Sequence, residues 1–239
     1  MRILLIGYGK MGKTIEELAI KRGHTIAGKI GSSDEKKLTH ISEDLVDVAI
    51  EFTRPEAAVA NVGYCLENGI PVVSGTTGWL HQRKEINDLC QAKQGAFFYA
   101  SNFSIGVNLF FQLNKYLAKN INAFPQYNVS IDETHHTQKL DHPSGTAITL
   151  ADEILQNLQS KLKWVNEPSA DMNDLVINSY REENVVGTHV VHYESEVDSI
   201  EIKHTAHSRE GFALGAVMAA EWLVGKKGVF GMNDMLGFN

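Results

Sequence analysis

Between residues 132 and 146 the chain reads Asp132-Glu133-Thr134-His135-His136-Thr137-Gln138-Lys139-Leu140-Asp141-His142-Pro143-Ser144-Gly145-Thr146. This is its richest concentration of groups able to move protons or hold anions. Histidine titrates near neutrality and suits general acid–base work, and Lys139 adds a cation or a proton donor. The run starts at a predicted strand end and finishes at a predicted helix start. Successive strand side chains point to opposite faces. His135 and His136 therefore cannot easily ligate one metal, as an i,i+4 helical pair would, and no metal site is expected. Instead one can face a reacting atom and the other a second ligand group. Ser144 reads as a helix N-cap, which leaves the Gly145 and Thr146 amides free to bind a carboxylate. Gly145 lets such a ligand approach the backbone. Taken singly, each histidine is more often a surface or satisfied residue; the cluster is what favours function.

A second constellation opens the chain. Gly7-Tyr8-Gly9-Lys10-Met11-Gly12 follows a strand-like run and precedes a helical one. A lone G-x-G-x-x-G is weak; between strand and helix it marks a dinucleotide site. The first glycine allows the tight turn, the second lets the pyrophosphate close to the backbone, and the third lets helix and strand pack. Histidine, lysine and a carboxylate-binding helix start beside a dinucleotide point to reduction of a small carboxylated substrate. An acidic residue reading the ribose is expected about 20 residues on. The second strand instead ends Lys29-Ile30-Gly31-Ser32-Ser33, with no acid until Asp34. Lysine and serine tolerate a 2′-phosphate, so the reading favours NADPH, with NADH as the alternative. Lys29 reads equally well as a solvated strand-end residue.

The elements around these motifs divide in two. Strand patterns at 2–6, 25–30, 46–52, 70–74 and 96–101 alternate with helical ones, implying a parallel, doubly wound sheet. A long helix is expected over 104–120. Strands follow at 127–133, 176–182, 188–195 and 199–205, with a helix over 146–158 and a polar loop around Pro168. Short turns at 183–187 and 196–198 make this half α+β and at least partly antiparallel. An apolar helix over 211–224 and a glycine-rich tail close the chain. The fold class is thus α/β: a Rossmann-type dinucleotide-binding domain (1–103 and 210–239) and an α+β domain with a mixed sheet (104–209). The last helix should return to the first domain, because a five-strand parallel sheet needs cover on both faces.

Composition excludes several classes. A net charge of −7 argues against nucleic-acid binding, which needs a basic footprint. No apolar run approaches membrane-spanning length, and the N-terminus reads as a buried strand, not a signal peptide. The two cysteines, Cys65 and Cys90, sit among apolar neighbours at helical positions, which fits a reducing cytosol.

The chain resembles the dihydrodipicolinate reductases over nearly its whole length. The matching segments are the glycine turn, Glu51-Phe52-Thr53-Arg54-Pro55, Gly75-Thr76-Thr77-Gly78, Ser101-Asn102-Phe103-Ser104-Ile105-Gly106-Val107-Asn108, the run from Glu133 to Thr146, and residues 204–213 and 231–237. The Glu-x-His-His-x-x-Lys-x-Asp-x-Pro-Ser-Gly-Thr run is highly specific to that family. The resemblance implies that 4-hydroxy-tetrahydrodipicolinate is reduced to tetrahydrodipicolinate with NAD(P)H, in diaminopimelate and lysine biosynthesis. His135 would be the catalytic acid/base and Lys139 the proton donor or charge stabiliser. His136, Lys139, Gly145 and Thr146 would bind the dicarboxylate. The dinucleotide would contact Gly7, Tyr8, Gly9, Lys10, Met11 and Gly12, then Gly75, Thr76 and Thr77, then Ala100, Ser101, Asn102 and Phe103. A homotetramer joined through the second domain is implied as well. Three positions depart from the family pattern: Glu51 replaces the usual aspartate, Gly31 a commonly acidic residue, and Thr205 a usual basic one. His204, His207 and Arg209 read either as a polar strand end or as substrate-side groups. Two rival readings stand beside this one: another small-substrate dehydrogenase on the same plan, and a non-catalytic dinucleotide sensor. The presence of His135 and Lys139 counts against the sensor.

Overall fold

The computed structural model describes residues 1–31 and 43–238. Ser32, Ser33 and the charge run from Asp34 to Lys37 lie outside the described residues. The chain divides into two compact units, Met1–Ile105 with Glu210–Asn239, and Gly106–Arg209.

The first unit is built on a six-stranded sheet in the order β11-β5-β4-β3-β1-β2. Its strands are β1 (Arg2–Ile6), β2 (Thr25–Ile30), β3 (Val48–Glu51), β4 (Val72–Ser74), β5 (Ala96–Tyr99) and β11 (Gly228–Phe230), and every pairing is parallel. Parallel strands are buried on both sides, so they read as continuous apolar runs. One face packs Ile3, Leu5, Ile50 and Phe98 against α1 (Lys10–Lys21) and the alanine-rich α6 (Glu210–Leu223). The other packs Leu4, Ile6, Val72 and Phe97 against α2 (Pro55–Glu67) and α3 (Arg83–Ala92). Small residues let α6 lie close: a Cβ on Gly215 would stand 1.8 Å from the Phe103 carbonyl oxygen. The return of α6 to this sheet matches the need for cover on both faces.

The tail differs from expectation. It supplies a sixth strand, β11 beside β5, and a short helix, α7 (Met232–Leu236). A three-residue strand containing Gly228 at φ +128° is too short to show periodicity.

β1 has β2 on one side and β3 on the other. Chain direction across the sheet reverses there, and the crevice beyond the strand ends at such a point is where α/β sheets take ligands. The glycine turn follows β1 at this place. The Gly7 amide donates to the Ile30 carbonyl at 2.9 Å.

The second unit holds a five-stranded sheet in the order β10-β9-β6-β8-β7. Its strands are β6 (Asn128–His135), β7 (Lys163–Val165), β8 (Asp174–Arg181), β9 (Gly187–Glu194) and β10 (Ser199–Ala206), with helices α4 (Ile105–Ile121) and α5 (Gly145–Asn157). β6 runs antiparallel to β9 and parallel to β8. The turn expected at 183–187 therefore does not close a hairpin: it crosses the end of β6, which lies between β8 and β9. β7, three residues long, falls in what reads as polar loop. The core packs Phe110 and Ala118 of α4 and Leu150 and Ile154 of α5 onto Val129, Ile131, Leu175, Ile177, Val191 and Tyr193.

Two glycines of the first turn should separate on mutation. Gly7 has φ +97°, and a Cβ there would meet the Phe52 carbonyl oxygen at 1.9 Å; at Gly9 nothing lies within 4 Å. Gly7→Ala is expected to lose about 1–3 kcal/mol of stability, and Gly9→Ala close to none. Equal melting temperatures for the two variants would contradict this account of the turn.

Candidate active site

The covered face of the second sheet changes character along its strands. On β6, Val129, Ile131, Glu133 and His135 alternate inward, and the first two are core. Glu133 sits opposite Ser179 and His135 opposite Arg181 on β8, while Glu133 sits opposite His189 on β9. The apolar layer thus ends in a polar group of Glu133, His135, Arg181 and His189. Glu133 is 0% exposed, His189 4% and His135 9%.

A buried carboxylate needs partners. Glu133 Oε1 accepts from Arg181 Nη1 at 2.9 Å, and Oε2 lies against His135 Nδ1. Burial alone would raise the pKa of Glu133; hydrogen bonds from His135, Ser179 and Arg181 outweigh it and hold the value at about 2. Arg181 also donates from Nε to the Lys139 carbonyl at 3.3 Å and from Nη2 to the Asp141 carbonyl at 2.5 Å. One guanidinium therefore fixes the Glu133 carboxylate and the loop carrying Lys139 together. That loop is tightened by the Lys139 amide donating to the His136 carbonyl at 3.1 Å. The Lys139 ammonium rests on both Asp141 carboxylate oxygens at 2.8 Å. Asp141 is exposed, and a pair at the surface is weak enough for the ammonium to transfer to an arriving anion.

The helix entry is as the sequence predicts. After a cis peptide between His142 and Pro143, Ser144 caps α5, its Oγ accepting from the Ala147 amide at 3.2 Å. No acidic residue stands in the first turn of α5. A Cβ on Gly145 would meet nothing within 4 Å. The first-turn amides, Gly145 and Thr146 included, lack intrahelical acceptors and carry the positive end of the helix dipole. Ser144 Oγ also meets His189 Nε2 at 2.9 Å, and the His189 ring stands edge-on to His135, centroids 5.0 Å apart. Burial, with repulsion from His135, holds the pKa of His189 down at about 3. His204, on β10 beside His189, stacks on Phe110 at 6.1 Å, while His207 and Arg209 are exposed.

Glu133, His135 and His189 present donor atoms within 4.8 Å of one another, a set of types that could hold a divalent cation. In the arrangement seen, the carboxylate is already committed to Arg181 and His135. His136, just past the strand, is half-buried, and the structure brings it into the same loop as Lys139.

In the first unit, the glycine turn opens α1 with no acidic residue in the first helical turn, so the amides of Lys10, Met11 and Gly12 face an unopposed positive end. A Cβ on Gly12 would stand 2.2 Å from the Gly7 carbonyl oxygen. Gly75, Thr76 and Thr77 follow β4, and Ala100, Ser101, Asn102 and Phe103 follow β5. Both segments leave the edge of the sheet at which the glycine turn lies. The fully buried Glu51 ties that edge together, accepting from Ser74 Oγ at 2.6 Å, Thr76 Oγ1 at 2.7 Å and the Thr53 amide at 3.0 Å. Trp79, fully buried, donates its indole N–H to the Thr76 carbonyl at 2.7 Å. Lys29 is not simply solvated. Its ammonium meets Glu16 Oε1 at 2.5 Å and Tyr8 Oη at 3.2 Å, and lies 4.7 Å from the Tyr8 ring centroid.

Comparison with known proteins decides the family. The dihydrodipicolinate reductase N-terminal model matches residues 1–103 and the C-terminal model residues 106–236. The chain belongs to the dihydrodipicolinate reductase family. It is 52% identical over 236 residues to a 4-hydroxy-tetrahydrodipicolinate reductase of Christiangramia forsetii, covering 99% of this chain and 98% of that one. It is 35% identical over 251 residues to one of Clostridium tetani, covering 99% and 97%. A dipicolinate-bound dihydrodipicolinate reductase from a Paenisporosarcina species shares the fold, with TM-score 0.77 and 23% identity over 98% of this chain and 99% of that one.

For a dihydrodipicolinate reductase chain, sequence reading passed over Arg181 and His189, and it named Glu133 and Glu51 without giving either a role. Glu133, Arg181 and His189 are charged or titratable residues in strand positions that alternation marks as inward, which is a usable signal; Glu51 ends a strand buried along its whole length, where no alternation singles it out.

The buried His189 gives a test. Its folded pKa lies below the ordinary 6.5, so the unfolded chain takes up a proton that the folded one refuses. Stability linked to it is intact above pH 6.5 and is lost as pH falls toward 3, with a slope approaching about 1.4 kcal/mol per pH unit. His189→Gln, which cannot titrate, should show a shallower fall in melting temperature between pH 6.5 and 4. Parallel curves for variant and wild type would contradict the buried neutral state.

Proposed function

We propose that the chain catalyses NAD(P)H-dependent reduction of 4-hydroxy-tetrahydrodipicolinate to tetrahydrodipicolinate, with His135 as the acid/base group and Lys139 as proton donor or charge stabiliser. The observation that carries the assignment of roles is the buried Glu133–His135 pair beside an uncovered helix N-terminus. Glu133 engages Nδ1, which leaves Nε2 as the nitrogen that exchanges a proton with the substrate ring. The substrate's 4-hydroxyl group leaves as water; a bound nicotinamide would supply the hydride to the dehydrated ring, and the neighbouring ring carbon would take the proton. The Gly145 and Thr146 amides, His136 and the Lys139 ammonium bind the two carboxylates. Lys139 leaves Asp141 to do so.

The dinucleotide fits the first unit. The open space at Gly9, the acid-free start of α1 and the segments after β4 and β5 supply the contacts named above. NADPH is the favoured reductant: the Lys29 ammonium, now on Glu16 and Tyr8, would turn to a 2′-phosphate, and Gly31 offers no carboxylate for a ribose hydroxyl. We place the protein in the cytosol as a homotetramer joined through the second unit. Exposed apolar side chains on α4 (Leu109, Leu113, Tyr116) and Ile200 on β10 support that assembly, and the buried, unbridged Cys65 and Cys90 fit the compartment.

One coupled assay tests the reading. With substrate generated from pyruvate and aspartate semialdehyde, the protein should oxidise NADPH with a higher kcat/KM than NADH. No oxidation of either would overturn the function; a preference for NADH would overturn the choice of cofactor. His135→Gln is expected to lower turnover by roughly 10²–10⁴-fold, the usual loss of a general acid or base, and Lys139→Ala similarly. Unchanged turnover in either variant removes the role assigned to it.

A further inference from the structure

Gly187 opens β9 and is buried. Its φ is not positive, so the backbone does not demand glycine, and glycine inside a strand weakens it by entropy and lost packing. A Cβ built on Gly187 would stand 3.0 Å from Nε2 of His135 and 3.2 Å from its Cδ2. The three atoms nearest to that position all belong to the His135 ring. The other ring nitrogen, Nδ1, is turned to Glu133. His189, two residues along β9, stands edge-on to the same ring. The ring is thus held by Glu133 and His189, and the empty place where a side chain of residue 187 would stand adjoins its remaining nitrogen. Glycine in a strand often marks a bulge, a bend, or a place where a ligand or another backbone comes close; here the group that comes close is the His135 ring.

We infer that Gly187 is a positioning residue for catalysis: by lacking a side chain it leaves Nε2 of His135 open to the reacting ring. The inference rests on His135 being the acid/base group. It goes beyond that reading, because it assigns a role to a residue with no functional group of its own. A methyl group at 187 would stand against Nε2 and cover it.

The test is Gly187→Ala in the full-length protein, alone and combined with His135→Gln. A strand accepts alanine, so the variant should melt at or above the wild-type temperature and bind NADPH with unchanged affinity by fluorescence titration. Its kcat should fall at least about tenfold, with the substrate KM changing less, and its kcat–pH profile should move. In the His135→Gln background the alanine should add no further loss, because contacts made through one residue are not additive. A kcat within twofold of wild type would overturn the inference, as would an equal loss in both backgrounds or a variant that melts well below wild type. If His135→Gln itself keeps full turnover, the acid/base reading fails first, and the two failures are told apart.

Discussion

The carboxylate of Glu133 is charged and has no exposed surface, and the second unit is arranged around that fact. An unpaired buried charge is costly, and removing one partner of a buried pair typically costs about 3–5 kcal/mol. Two groups from two strands meet the demand: the Arg181 guanidinium on β8 and the His135 ring on β6 itself. Each is then unable to move freely. His135 is held by Nδ1, which suits the acid/base role proposed for it, since that role needs one particular nitrogen presented. Arg181, held by Glu133, reaches the carbonyls of Lys139 and Asp141, so the loop with Lys139 is set by the same carboxylate. His189 stays neutral beside the group because burial disfavours its charged form, and repulsion from His135 adds to that. It joins the group to the Ser144 cap and so to the helix end proposed to take a carboxylate.

The first unit uses a comparable device. Glu51 is buried at the end of β3 and gathers hydroxyls from β4 and from the segment after it. It touches the Gly75-Thr76-Thr77 turn through Thr76, which Trp79 braces from its carbonyl side. In both units an acid at a strand end orders the loops beyond, so that side chains and amides proposed to meet ligands stand on rigid supports.

Much of this was legible in the sequence. The alternation of β6, the Ser144 cap and the glycine turn are local patterns, and the structure has each where the spacing puts it. What was not legible depends on register between distant segments. Nothing near Arg181 says that it will face His135, 46 residues earlier by number, across a parallel pairing. The short turn at 183–187 suggests a hairpin, yet β6 lies between the strands it joins. β7 and β11 are too short for a period to show. Lys29 read equally as a ligand or a solvated residue, and only the fold brings Tyr8 and Glu16 to it.

The central claim is that Glu133 fixes which nitrogen of His135 faces the chemistry. Nitrogen-15 NMR of the His135 ring, assigned by loss of its signals in His135→Gln and followed across pH, measures that directly. The account requires Nδ1 to carry a proton at every pH at which the protein is folded, with Nε2 the nitrogen that gains and loses one. A neutral ring with the proton on Nε2 and a bare Nδ1 would contradict it.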